Sequence, residues 1–125
     1  MIYGIGTDLV KIEQVAALHK RFGARFESRV FTERERNYCL AQPCPSLHLA
    51  ARFAAKEAFF KALGTGKTPG LRWAEVSVER DQSGRPSLIT LGKVHQILAE
   101  IKVQRIHVSL THTNSHAVAF VILEQ

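Results

Sequence analysis

The chain has 125 residues, 46% of them hydrophobic and 22% charged, and a formal net charge of +6. That length suits one domain spanning 1–125 with a single core, and no apolar run approaches the ~18 residues a membrane-spanning helix needs. The positive balance implies an acidic partner, whether nucleic acid, anionic lipid, a polyphosphate ligand or an acidic protein, and charge alone does not choose among them.

The elements follow in order. Met1 to Thr7 reads as a short strand, with bulky Tyr3 and Ile5 beside Gly4 and Gly6, and no basic region or cleavage site there suggests secretion. Asp8 stands at the strand's end. A helix is predicted over about Ile12 to Phe22, with Ile12, Val15, Leu18 and Phe22 near one side. Thr32-Glu33-Arg34-Glu35 is a capping-box pattern, and the helix it opens stops near Gln42, ahead of Pro43. Ser46 is the predicted N-cap of an Ala- and Leu-rich helix from Leu47 to Leu63, with Gly64 as its stop. Trp73 to Arg80 alternates as a strand, Asp81-Gln82-Ser83-Gly84 turns, and Ser87 to Leu91 returns. Val94, Ile97, Leu98 and Ile101 keep helical spacing. Ile106 to Leu110 and Ala117 to Leu123 are strands about a break at Thr113-Asn114-Ser115. The class expected from this order is α+β, with a mostly antiparallel sheet and segregated helices. The apolar run Ala117 to Leu123 should be covered on both faces, one of them by another subunit in so small a chain.

Several groups could carry chemistry. Cys39 and Cys44, the two cysteines, match neither a zinc nor a redox motif and read as reduced cytosolic thiols. In the segment RFAAKEAFFKALG, Glu57 projects about 40–60° from Phe53 and Phe60 on a helical wheel. A carboxylate at the edge of an apolar stripe is costly without a cation or metal. The modest alternative is an i, i+4 ion pair with Lys61. Asp8 is either a turn aspartate or, if it converges with Glu57, half of a hard-oxygen set suited to Mg²⁺. Gly64-Thr65-Gly66-Lys67-Thr68 resembles the end of a P-loop but lacks its first glycine and follows a helix. It remains either a helix stop or a loop whose amides approach phosphate. His107, His112 and His116 are close in sequence, but their spacing does not favour zinc. Lys20, Arg21, Arg25 and Arg29, with Lys11 nearby, form either a solvated face or a docking surface for an acidic partner.

Three segments, GIGTDLVKIE at 4–13, RFAAKEAFFKALGTG at 52–66 and HVSLTHTNSHAVAFVIL at 107–123, together with the turn DQSGRP at 81–86, resemble the bacterial holo-acyl-carrier-protein synthase family. The resemblance spans nearly the whole chain in order. It implies the 4′-phosphopantetheinyl transferase fold and a cytoplasmic enzyme that moves phosphopantetheine from coenzyme A to a carrier-protein serine, with Mg²⁺, releasing adenosine 3′,5′-bisphosphate. It further implies homotrimers with active sites between subunits. By the same resemblance, Asp8 and Glu57 hold the metal and Lys61 meets the phosphates. Arg52, Gly64, Pro86, Ser109 and His112 line the coenzyme A site, and the basic first-helix region docks the acyl carrier protein. Tyr38 to His48 fits the pattern loosely and carries no assignment. Neither nucleic acid nor membrane is an expected partner. The competing expectation, a non-catalytic basic module binding nucleic acid or an acidic protein, explains the charge equally well. It finds no nucleic-acid fingerprint, and only one tryptophan and two tyrosines for base stacking.

Overall fold

A computed structural model describes residues 1–64 and 69–125. The order is β1 (Ile2–Lys11), α1 (Ile12–Phe22), α2 (Ala24–Val30), α3 (Glu33–Leu40), α4 (Pro45–Leu63), a 3₁₀ turn (Trp73–Glu75), β2 (Val76–Arg80), β3 (Pro86–Thr90), α5 (Gly92–Glu100), β4 (Arg105–His112) and β5 (His116–Glu124). The architecture is α+β. One antiparallel sheet has the order β1-β5-β4, and β2-β3 forms a separate hairpin. The run Thr65 to Thr68, which holds most of the P-loop-like segment, lies outside the described residues.

Three differences from the sequence expectation shape the scaffold. First, β1 continues past Asp8, because β5 is long enough to pair with it from Ile2 to Lys11, with Asp8 opposite Ala119. Asp8 therefore sits inside a strand. Second, a further helix, α2, follows α1. Gly23 at φ +53° lets the chain turn between them. Third, α4 starts at Pro45 with Cys44 as its N-cap, not at Leu47 with Ser46 as its cap. Proline at the first helical position has its φ preset and loses no hydrogen bond there. The capping box of α3 forms as expected, with Thr32 Oγ1 accepting from the Glu35 amide and Glu35 Oε1 accepting from the Thr32 amide.

The packing of α4 on the sheet dictates the rest. Ala54, Ala58 and Ala62 are buried, as are Ala117, Ala119, Val121 and Leu123 on the inner face of β5. A Cβ at Gly4 or Gly6 would collide with the carbonyl oxygens of Ala62 and Ala58. The glycines of β1 are thus required by close backbone approach, not by an unusual dihedral. The expected stripe of α1 is only half covered. Val15 is buried, but Leu18 and Phe22 remain exposed.

The two faces of the main sheet differ. Its inner face is closed by α4, while Ile5, Leu9 and Phe120 on the outer face are 61%, 65% and 53% exposed. Within one chain, then, β5 is covered on one face only. The β2 segment departs the other way. Trp73–Glu75, expected as the start of that strand, forms the 3₁₀ turn, and Glu75 and Ser77 are buried. Glu75 accepts from the amides of Arg72 and Lys93 at 2.9 and 2.6 Å, tying the turn to the start of α5.

The least expected core group is Lys56. Its side chain is fully buried against Glu35 at 2.6 Å. It also donates to the carbonyls of Val30, Val76 and Trp73 at 2.8, 2.6 and 3.1 Å. The second Glu35 oxygen accepts from the Val78 amide at 2.9 Å. One ammonium thereby clasps the end of α2, the cap of α3 and the start of β2 to α4.

Candidate active site

Alternation along β1 directs Asp8 to the same face as Gly6 and Val10, toward α4. There it meets Lys61, whose Nζ donates to Asp8 Oδ1 at 3.0 Å and to the Thr7 carbonyl at 3.2 Å. The helical spacing of Glu57 and Lys61 favours a pair between these two. Lys61 instead crosses from α4 to β1. Glu57 is partly buried one turn earlier. Burial raises its carboxyl above the ordinary range, Asp8's negative charge raises it further, and Lys61 offsets part of this. The structure therefore brings Asp8, Glu57 and Lys61 together: two interacting carboxylates and one ammonium. Among the described residues no group of three or more His, Cys, Asp or Glu side chains could hold a metal ion. A hard divalent ion at Asp8 and Glu57 fits the donor chemistry, because it would relieve the repulsion acting on Glu57 and could complete its shell from water and phosphate oxygens.

Arg52, Pro86 and His112 also come together. They line a cleft of about 260 Å³ with His48, Arg80 and Leu110. Arg52 is buried, stacks on the Tyr38 ring at 4.4 Å, and donates through Nη1 to the His48 carbonyl at 3.4 Å. Its Nε is buried without a partner among the described residues. Arg80 lies over the same Tyr38 ring at 5.5 Å. Burial lowers the His48 pKa, and the charges of Arg52, Arg80 and His112 lower it further. Glu79 lines the cleft too and offsets part of the positive charge, but an anion would satisfy the orphaned Arg52 donor, which Glu79 does not. Arg80, Tyr38 and His48 carry no assignment from sequence, and nothing in their local pattern marks them. Only the packing of β2 against α3 and α4 does.

Two site candidates fall elsewhere. Ser109 alternates with Leu110 and His112 on β4, so it faces the outer surface opposite Phe120, away from the cleft. Gly64 caps α4 at φ +92° and is exposed at the edge of the described residues. Of the three histidines, His107 pairs with Glu124 at 2.8 Å and His116 with the Ser115 hydroxyl at 2.8 Å, while His112 alone lines the cleft.

The basic cluster is split between two helices. Lys20 and Arg21 end α1, where Arg21 lies over the Phe22 ring at 5.1 Å. Arg25 and Arg29 belong to α2 and line a groove of about 260 Å³ with Leu18, Phe22 and Phe26. The charge run does not reveal this apolar floor between arginines, because it exists only once α2 folds back beside α1.

An arginine-lined cleft and a carboxylate–ammonium cluster on one α+β scaffold suit an enzyme acting on a phosphate-containing substrate, and comparison with known proteins narrows the class. The family model described as the 4′-phosphopantetheinyl transferase superfamily matches residues 4–121. A holo-[acyl-carrier-protein] synthase of Protochlamydia amoebophila is 43% identical over 122 residues, covering 98% of each chain. The crystal structure of the corresponding synthase from Neisseria meningitidis superposes with a TM-score of 0.93 at 35% identity, covering 100% of both chains. That of Bacillus anthracis, in complex with CoA (3′,5′-ADP), gives 0.82 at 33% identity over 99% of this chain and 97% of its own. The chain therefore belongs to the holo-[acyl-carrier-protein] synthase family of phosphopantetheinyl transferases.

Proposed function

We propose that this chain transfers 4′-phosphopantetheine from coenzyme A to a serine of an apo acyl carrier protein, in a Mg²⁺-dependent cytoplasmic reaction that releases adenosine 3′,5′-bisphosphate. The observation that carries this reading is the convergence of Asp8, Glu57 and Lys61 across the β1–α4 contact. The serine oxygen forms a bond to the phosphorus bearing pantetheine, and the bond from that phosphorus to the bridging oxygen breaks. The bisphosphate leaves with the electron pair. Positioning and charge neutralisation supply most of the acceleration in such chemistry. Asp8 and Glu57 would hold the magnesium ion, which when bound polarises the pyrophosphate. Lys61 opposes negative charge on the leaving group. A carboxylate at Glu57 would take the serine proton. The Arg52–Arg80 cleft supplies the positive wall for the substrate's anionic nucleotide end. The deciding assay follows bisphosphate release from coenzyme A with an apo carrier protein, with and without magnesium. No release in either condition would defeat the reading.

The groove bearing Arg25 and Arg29, with Lys20 and Arg21 beside it, is the proposed carrier docking surface. An acidic helix would meet the arginines at the rim and the exposed Leu18 and Phe22 between them. Reversing both Arg21 and Arg25 to glutamate should raise KM for carrier protein about tenfold or more and flatten its salt dependence. KM for coenzyme A should stay nearly constant. An equal rise for both substrates would remove the docking role.

The open outer face of Ile5, Leu9 and Phe120 is proposed to pack in a homotrimer. Ser109 lies on that face, so it would belong to a site formed between subunits. Light scattering over a dilution series should give about three times the 14.0 kDa chain mass. An active monomer at low concentration would exclude the trimeric site.

A further inference from the structure

We propose that Lys61 is the built-in counter-cation of the metal-free enzyme, holding the Asp8 carboxylate until a divalent ion and the phosphates of a bound substrate displace it together. The inference rests on Asp8 and Glu57 as the metal ligands.

The geometry carries it. A lysine one turn after a glutamate on a helix ordinarily pairs with that glutamate. Lys61 passes over this partner and reaches the neighbouring strand, where it takes a carboxylate oxygen at 3.0 Å and a carbonyl oxygen at 3.2 Å. These are the hard oxygen donors a divalent ion would seek. The Asp8 side chain is only 13% exposed, so water does little to neutralise it, whereas Lys61 is 53% exposed on a flexible four-carbon stem. The anion is fixed and the cation can leave. An ammonium already on Asp8 both occupies a ligand oxygen and repels an incoming divalent ion. Substrate changes that balance. Phosphate oxygens offer Lys61 new charge-assisted hydrogen bonds within reach of the same stem. Asp8 is released when the pyrophosphate arrives. The metal and coenzyme A therefore load cooperatively, and Lys61 disfavours metal in the empty site.

The test is binding, not turnover. Mn²⁺ serves as a paramagnetic probe, and loss of its free electron-spin-resonance signal reports binding to the intact protein. Without coenzyme A, Lys61→Met should bind Mn²⁺ about three- to tenfold more tightly than the wild type, since an opposing charge and a competing hydrogen-bond donor are gone. Lys61→Gln, which keeps a polar head without charge, should also bind more tightly. With coenzyme A present, that advantage should shrink or reverse, because the wild-type lysine then helps bind phosphate. Asp8→Asn should bind less tightly than the wild type in both conditions. If neither Lys61 variant binds more tightly than the wild type without coenzyme A, with binding undetectable in all three included, while Asp8→Asn still weakens binding with coenzyme A, Lys61 is not a competitor and the inference is overturned. If Asp8→Asn and Glu57→Gln both bind as tightly as the wild type, the metal lies elsewhere and the inference fails with the site assignment.

Discussion

Lys56→Met is expected to destabilise the fold by about 3–5 kcal/mol, the usual cost of stranding one partner of a buried ion pair. Lys56 and Glu35 have side-chain exposures of 0% and 0%, so no water can replace the lost ammonium. The carbonyls of Val30, Val76 and Trp73 would lose the donor they share as well. Burial pushes the Lys56 pKa down, while Glu35 pulls it back toward its ordinary value. Glu35→Gln should also destabilise, because its amide nitrogen would face a donor in either orientation, Lys56 and Thr32 on one side or the Val78 amide on the other. The double variant should lie at least about 1 kcal/mol away from the sum of the singles, as contacting residues do. Urea unfolding at one fixed protein concentration measures all three, the fixed concentration guarding against any association linkage. A loss below about 1 kcal/mol for Lys56→Met would show that the surrounding helices repack without the clasp.

Asp8→Asn and Glu57→Gln are each expected to lower turnover by about two orders of magnitude or more, a common effect of removing a group that stabilises transition-state charge. Both keep side-chain shape, so neither opens a cavity and the fold should survive. Because both would serve one ion, the double variant should be little slower than the slower single. The magnesium concentration for half-maximal rate should rise in each. The two differ in one respect. Glu57→Gln also removes the proton acceptor, so its loss should persist at saturating magnesium, whereas Asp8→Asn should recover in part. Steady-state rates across a magnesium series separate these outcomes. An unchanged rate and magnesium requirement in Glu57→Gln would move the metal to other ligands.

Local signals are legible in the sequence itself. The capping box at Thr32 to Glu35, the Asp81–Gly84 turn and the alanine-rich helix ending at Gly64 rest on neighbours within a few residues, which a sequence displays directly. The same holds for Glu57, whose place at the edge of an apolar stripe follows from helical geometry. Features set by distant partners are not legible there. The length of β1 depends on pairing with β5, more than a hundred residues away. Lys56 carries the residue type of a surface position, and its partner Glu35 comes near only when α3, α4 and β2 assemble. Lys61 prefers Asp8 to its own helical neighbour for the same reason. The seven residues of α2 are too few for a clear period, with Phe26 and Val30 as their only buried pair. Without that helix, the sequence displays the arginines but not the groove between them. The orientation of Ser109 turns on strand parity, which no local pattern reports.

The contact of Gly4 and Gly6 with the carbonyls of Ala58 and Ala62 bears on how the chain can diverge. Main chain meets main chain there, with no larger side chain between β1 and α4 to grow, shrink or change rotamer. The span between Asp8 and Glu57 is therefore insulated from ordinary core drift. Exchanges among Leu49, Phe59, Val121 or Leu123 can alter stability while this span hardly changes. The reverse also holds. A single methyl group gained at Gly6 would pry the strand from the helix, and repacking elsewhere would not draw the two carboxylates back together. Descendants of this sequence have wide latitude in most of the core and almost none along this seam.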